Sequence, residues 1–322
     1  MRIDIYTRIQ ELPTLLTGGI EHSAQLFGLL CRSSSSKPYM MVATDEQGKE
    51  LAHIIIIKRR GIRLLPPVVG SWFTIYGAGV YCSSCHNREE IFSKFIEKLF
   101  DIFDIFNSYI EIIGIDDPRF AYATLSRHHF VPVRDHRIYI SLHSKAPEER
   151  LTRSYRTHLR KSEERGSTYR IATTEQEINE GLRLLKNYYR SKIRRPLPSD
   201  DILRGLLAAD KQRMFIVEHG GKIIGCSICT YHDNNAFLAF SCGLRKSYPL
   251  LYPGIVAVWA AIDDARKRGC SHIEFLESRT LVGTRSGYKN FLLNFGGKQV
   301  STLRWYHFKW NFLNKILRAI YV

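Results

Sequence analysis

No stretch of this 322-residue chain carries the roughly 18 uninterrupted apolar residues that a membrane-spanning helix needs. The polar start MRIDIYTRIQ also lacks the apolar centre of a secretion signal, so a cytoplasmic protein is expected. Acidic residues are scarce: 31 Asp and Glu stand against 47 Lys and Arg, a net charge of +16. Such an excess favours an anionic partner. Cysteines are few and odd in number, seven, which argues against a disulfide framework and predicts reduced thiols. Cys82-Ser-Ser-Cys85-His86 has the spacing of a c-type haem attachment, a chemistry that requires export. Cys226 and Cys229 fall in one predicted strand and so face opposite sides of a sheet, which removes a zinc site shared with Cys82 and Cys85. No metal is expected. Neither a Gly-x-Ser-x-Gly elbow nor a Cys-His pairing is present, which excludes the common routes through an acyl-enzyme.

What is present is a repeat. Residues 211–308 follow the element order of residues 37–140. Each copy opens with a hairpin, Tyr39–Thr44 with Glu50–Lys58 and Met214–Glu218 with Lys222–Tyr231; apolar and polar residues alternate in the second copy, while Glu50–Lys58 is a nearly continuous apolar run. A third strand follows, Phe73–Tyr81 or Ala236–Leu244. Next comes a helix with an apolar face, Glu89–Phe106 or Gly254–Arg268. Short strands at Tyr109–Ile115 and His272–Leu276 lead to short helices, 120–130 and 288–295, and then to a final strand. Six matched elements in order indicate duplication. The length also suits two domains of about 150 residues, with boundaries expected at 1–145 and 146–322.

Positive charge is concentrated in Lys58–Arg63, Arg150–Arg170, Arg190–Arg195 and Arg266–Arg268. Between Pro147 and Gly166 the spacing predicts a basic helix leading into the second domain. Leu151, Tyr155 and Leu159 form its apolar row, and Arg153, Arg156 and Arg160 its cationic stripe. That stripe either meets phosphates or is a solvated face.

Three stretches carry a family resemblance: Tyr155–Gly166, the helix and strand over Pro253–Phe275, and the run GYKNFLLNFG from Gly287 to Gly296. Together they resemble the Fem-type transferases, which add amino acids to peptidoglycan precursors on a GNAT fold used twice. The resemblance implies an α/β (α+β) protein of two tandem GNAT-like domains, each a mixed central sheet flanked by helices. It further implies an N-acyltransferase with no tightly bound cofactor, using aminoacyl-tRNA or acyl-CoA as donor and an amine as acceptor, on a cell-wall precursor in the family. DNA is not an expected partner. The loop Arg245–Val256 departs from the phosphate-binding pattern of CoA-dependent GNAT enzymes, with Leu251 and Val256 at its first and last signature positions. The family's strand Asp is Glu274 here.

Acyl transfer to an amine needs alignment, oxyanion stabilisation and a deprotonated amine. Lys289 is the family's candidate for steadying the developing charge or holding the donor's 3′ end. Tyr288 is a candidate for stacking, and Glu277 for orienting or deprotonating the amine. Arg156, Arg160 and Lys161 are candidates for phosphate contacts. Tyr248, Tyr252 and Arg245 are candidates for lining the donor channel. Three readings remain: aminoacyl transfer, CoA- or carrier-dependent acylation of a small amine, and a silent RNA-binding double module. The stretch 309–322, with Trp310, Leu313, Leu317 and Ile320 on one helical face, either packs on its own protein, the commoner case, or makes peripheral contact with the inner face of the membrane.

Overall fold

A computed structural model describes residues 1–33, 36–60, 70–104, 107–193, 197–208, 212–276 and 286–321, with Ser286 and Tyr288 described by backbone alone. The chain packs as two compact units, Met1–Asp135 with Ser301–Val322, and His136–Val300. The expected division at residue 145 thus falls earlier, and 301–322 joins the first unit.

The first unit runs β1 (Arg2–Tyr6), α1 (Ala24–Cys31), β2 (Ser36–Thr44), β3 (Glu50–Arg60), β4 (Ser71–Tyr76), β5 (Val80–Tyr81), α2 (Arg88–Ile102), β6 (Tyr109–Ile113), α3 (Tyr122–Arg127) and the start of β7 (Val131–Ser141). Strands β1 to β4 pair antiparallel in order, and β4 pairs parallel with β6. Helix α2 buries Ile91, Phe95, Ile96 and Leu99 of the face expected from its spacing, together with Phe92, against Phe73, Ile110 and Trp305. Each such side chain stabilises by about 1.5–3 kcal/mol relative to exposure.

In the second unit the order is α4 (Pro147–Arg150), α5 (Arg153–Glu164), β8 (Thr168–Ile171), α6 (Glu175–Tyr188), α7 (Asp200–Leu207), β9 (Gln212–His219), β10 (Lys222–His232), β11 (Asn235–Gly243), α8 (Pro253–Lys267), β12 (His272–Phe275) and α9 (Ser286–Leu293). Here β8 to β11 pair antiparallel in order, and β11 pairs parallel with β12. Both faces are covered. Phe215, Cys229 and Leu238 pack with Trp259 and Ile262 of α8, while Met214, Ile216 and Ile228 pack with Leu182 and Leu185 of α6 and Leu203 of α7.

The chain ends with β13 (Lys298–Phe308) and α10 (Asn311–Tyr321). Trp305–Phe308 of β13 pair antiparallel with β6, and Tyr139–Ser141 of β7 pair antiparallel with β12. The strand that ends each repeat therefore closes the sheet of the other.

Three expectations need correction. The single helix over 147–166 is two, because Leu151 is extended (ψ 140°) and Thr152 caps a new helix at the Tyr155 amide. Cys82 and Cys85 are joined in a disulfide, so this pair is not reduced. Cys226 and Cys229 do face opposite sides, in different cores. The third strand of the first copy is broken at Gly77–Gly79 into β4 and β5. Of the apolar face expected in the tail, Trp310, Leu313 and Leu317 are half-buried and Ile320 is exposed, as are Phe312 and Ile316. Among the described residues no helix is long and apolar enough to cross a membrane, and no group of three or more His, Cys, Asp and Glu could hold a metal ion.

Candidate active site

Among the described residues, one strand of the second sheet outruns its neighbour. Strand β11 stays paired with β10 up to Gly243 opposite Gly225. Its last partner in β12 is Leu238, opposite Phe275. Along β11, Leu238 is registered with Cys229 and Phe240 with Ile228, which leaves Ala239 without a partner in β10. This bulge bends the strand at the point where it parts from β12. Before it, Ala236 and Leu238 face α8; after it, Phe240 and Cys242 face α6. Among the described residues, no strand is paired with β11 on the β12 side from Ala239 to Gly243.

Helix α8 begins against the end of β11. A Cβ at Gly243 would lie 2.3 Å from the Gly254 nitrogen, so only glycine permits this approach. The loop leading there is folded on itself. Amides of Arg245, Ser247, Tyr248, Leu251, Ile255 and Val256 donate to loop carbonyls, and positions 249 and 253 are prolines with no N–H. Few backbone donors remain for a phosphate, and side chains supply the cationic character instead.

Those side chains line a cavity of about 600 Å³ between α6, the start of β10 and the loop after β11. Arg183, Lys192, Lys222, Arg245 and Lys246 border it, against one carboxylate, Glu180. Tyr248 forms part of the wall. Over the other side of the loop lies α5, whose Ser162 Oγ donates to the Leu251 carbonyl at 2.6 Å and whose Arg165 donates to the Leu250 carbonyl at 2.7 Å. The His158 ring stacks on Tyr252 with centroids 4.0 Å apart. Partial burial, then the charges of Lys161 and Arg245, lower the His158 pKa and favour its neutral form.

Helix α9 is docked on α5 through Tyr155, whose ring meets Phe295 at 4.9 Å and Phe291 at 6.0 Å. The turn after α9 is fixed by Gly296, at φ +84°, because a Cβ there would meet the Arg150 carbonyl oxygen at 2.6 Å. Thus the closing run and the basic helix form one packed assembly.

The expected site residues divide into groups. Arg245 and Tyr248 share the cavity, Tyr252 stacks on His158, and the charge of Lys161 helps to lower the His158 pKa. Arg156 and Arg160 are exposed and turned to their own helix, Arg156 to the Leu151 carbonyl at 3.4 Å and Arg160 to Glu164 at 2.9 Å. Lys289 is half-buried on α9. Glu277 and the Tyr288 side chain lie outside the described residues. Glu274 is buried and held by a two-pronged contact from Arg137. Sequence reasoning missed His158, Arg183 and Lys222. The signal for His158 was its place one turn after Tyr155, on the side of α5 facing the loop.

Residues 149–290 match the acetyltransferase (GNAT) domain family. No curated protein sequence matches the chain. Among solved structures, FemX superposes with a TM-score of 0.62 at 11% identity, covering 88% of this chain and 91% of that one. The C-terminal domain of a putative lysylphosphatidylglycerol synthetase from Agrobacterium fabrum gives 0.60 at 11% identity, covering 91% and 89%. A tandem GNAT protein from the clavulanic acid biosynthesis pathway gives 0.52 at 10% identity, covering 89% and 88%. With its 149–290 match and its repeated architecture, the chain is a tandem GNAT-fold protein whose residues 149–290 match the acetyltransferase (GNAT) domain family.

Proposed function

We propose that this protein is an N-acyltransferase that moves an aminoacyl group from a tRNA carrier to an amine. The observation that carries the reading is the cavity rich in Arg and Lys beside the end of β11, where, among the described residues, pairing with β12 stops at Leu238. The cavity can hold carrier phosphates. Transfer then needs no protein nucleophile. The amine nitrogen attacks the ester carbonyl, the tetrahedral oxyanion collapses, and the carrier hydroxyl leaves as the amide forms. Lys289 is assigned to the oxyanion, and Glu277 to taking the amine proton. A cell-wall precursor is the acceptor class favoured by the likeness to FemX.

A second reading, acyl transfer from CoA, is supported by the family match over 149–290. The consumed amides of the 245–256 loop weigh against it. Filter binding of tRNA at two salt concentrations, beside thermal shift with acetyl-CoA, separates the two. Salt-sensitive tRNA binding without a CoA shift is expected. A CoA shift alone overturns the aminoacyl reading, and tRNA binding without turnover would identify a silent RNA-binding module.

A further inference from the structure

Helix α10 belongs to the first unit and stands apart from the acyl-transfer reading. It is held to the body by a polar clamp. Asn314, its one buried residue, accepts a hydrogen bond from the Phe308 amide and donates to the Phe308 carbonyl, both at 2.8 Å. An asparagine bonded twice to the end of β13 fixes the helix beside the half-buried Leu313 and Leu317 and leaves a second apolar stripe uncovered. That stripe points outward: Phe312 is 59% exposed, Ile316 51% and Ile320 66%, at a spacing of four residues that aligns them. Half-buried Leu313 and Leu317 border the stripe.

Charge identifies the occupant. From position 309 to 322 the chain has Lys309, Lys315 and Arg318 and no Asp or Glu. A second copy of the helix would bring the same cations together with no acid on it to meet them. An anionic lipid surface satisfies both features, because apolar side chains enter the acyl boundary while Lys and Arg remain among the headgroup phosphates. Eleven residues are too few to span a bilayer, so the helix lies in the interface. We propose that α10 is a membrane-docking helix that seats the first unit on anionic lipid, with Phe312, Ile316 and Ile320 inserted and Lys315 and Arg318 at the phosphates.

The test is co-sedimentation of the full chain with phosphatidylglycerol/phosphatidylcholine vesicles and with pure phosphatidylcholine vesicles. Three variants accompany it: Phe312→Asp/Ile316→Asp, Lys315→Glu/Arg318→Glu, and, to measure the pull of general basic charge, Lys94→Glu/Lys98→Glu on exposed positions of α2. Circular dichroism confirms that each is folded. Binding to the anionic vesicles should fall at least tenfold in the first two variants and stay near wild type in the third. Equal recovery of all four proteins overturns the proposal, as does no binding by wild type at low salt. It is also overturned if light scattering shows that wild type is a dimer, Phe312→Asp/Ile316→Asp is a monomer, and vesicle recovery is unchanged between them.

Discussion

The two repeats share an element order, yet they differ at the one place where an acyl carrier would enter. In the first, β4 is paired with β6 along its whole length, from Trp72 opposite Tyr109 to Tyr76 opposite Ile113, and the Gly77 amide adds a further bond to Ile113. In the second, β11 outruns its partner by the stretch from Ala239 to Gly243. The loop after the third strand differs too. In the first repeat it is drawn closed by the Cys82–Cys85 disulfide and tied by the Cys82 amide to the Leu51 carbonyl, whereas in the second it borders a cationic cavity. Duplication supplied two scaffolds, and a one-residue bulge with a basic loop distinguishes the second from the first. The first unit instead has a buried network in which Arg304 bonds Asp135 at 3.1 Å and lies 3.9 Å from Glu111.

Acid should break the comparison most strongly. Burial, then the neighbouring His53 charge, pushes the His22 pKa down to about 3, and His22 Nδ1 accepts a hydrogen bond from the Ile55 amide only while unprotonated. Burial also pushes His307 down to about 4. Both lie in the first unit. Unfolded histidine takes its proton near 6.5, so stability is intact above that pH and falls as pH drops toward 4. By pH 5 each costs about 2 kcal/mol. Hydrogen exchange at pH 7 and pH 5 should show the first unit losing protection first; loss in the second unit alone would reverse the assignment.

The next effect in size is at Gly243→Ala. Its Cβ would collide with the start of α8, at an expected cost of about 3 kcal/mol read by denaturant unfolding. Gly48→Ala, in the open Asp45–Gly48 turn of the first unit, should cost about 1 kcal/mol through its positive φ alone. Reversing charge at the cavity with Arg245→Glu/Lys246→Glu should weaken tRNA binding roughly tenfold or more and flatten its salt dependence. Lys94→Glu/Lys98→Glu in the first unit should leave binding unchanged. Cys82→Ser/Cys85→Ser removes a short covalent loop worth about 2 kcal/mol or less. Its Tm should drop with turnover unaffected. Finally, Lys289→Ala should lower turnover while Tm holds, and full activity would remove Lys289 from the site.

Much of the fold was legible because hairpin alternation and the apolar face of α2 are local signals. Strand exchange was not, since β7 and β13 alternate in the same way whichever sheet they join. The bulge at Ala239 was hidden for a related reason. Ala236, Leu238, Phe240 and Cys242 keep an unbroken apolar alternation, but the sheet is covered on both faces, so a switch of face leaves no polar mark. Thr152 was a readable helix start, overlooked because Leu151 and Tyr155 keep helical spacing across the break. Arg245 and Tyr248 were found from their loop position, and the cavity partners Arg183 and Lys222 were not, because only the packing of α6 on β10 brings them to that loop.

The central claim is that the second repeat alone binds the acyl carrier. Hydrogen exchange of the full chain with and without saturating tRNA reads this directly, peptide by peptide. Protection is expected in 175–193 and 239–256, with the 71–87 segment of the first repeat unchanged. Protection confined to 71–87, or spread equally over both repeats, would contradict it.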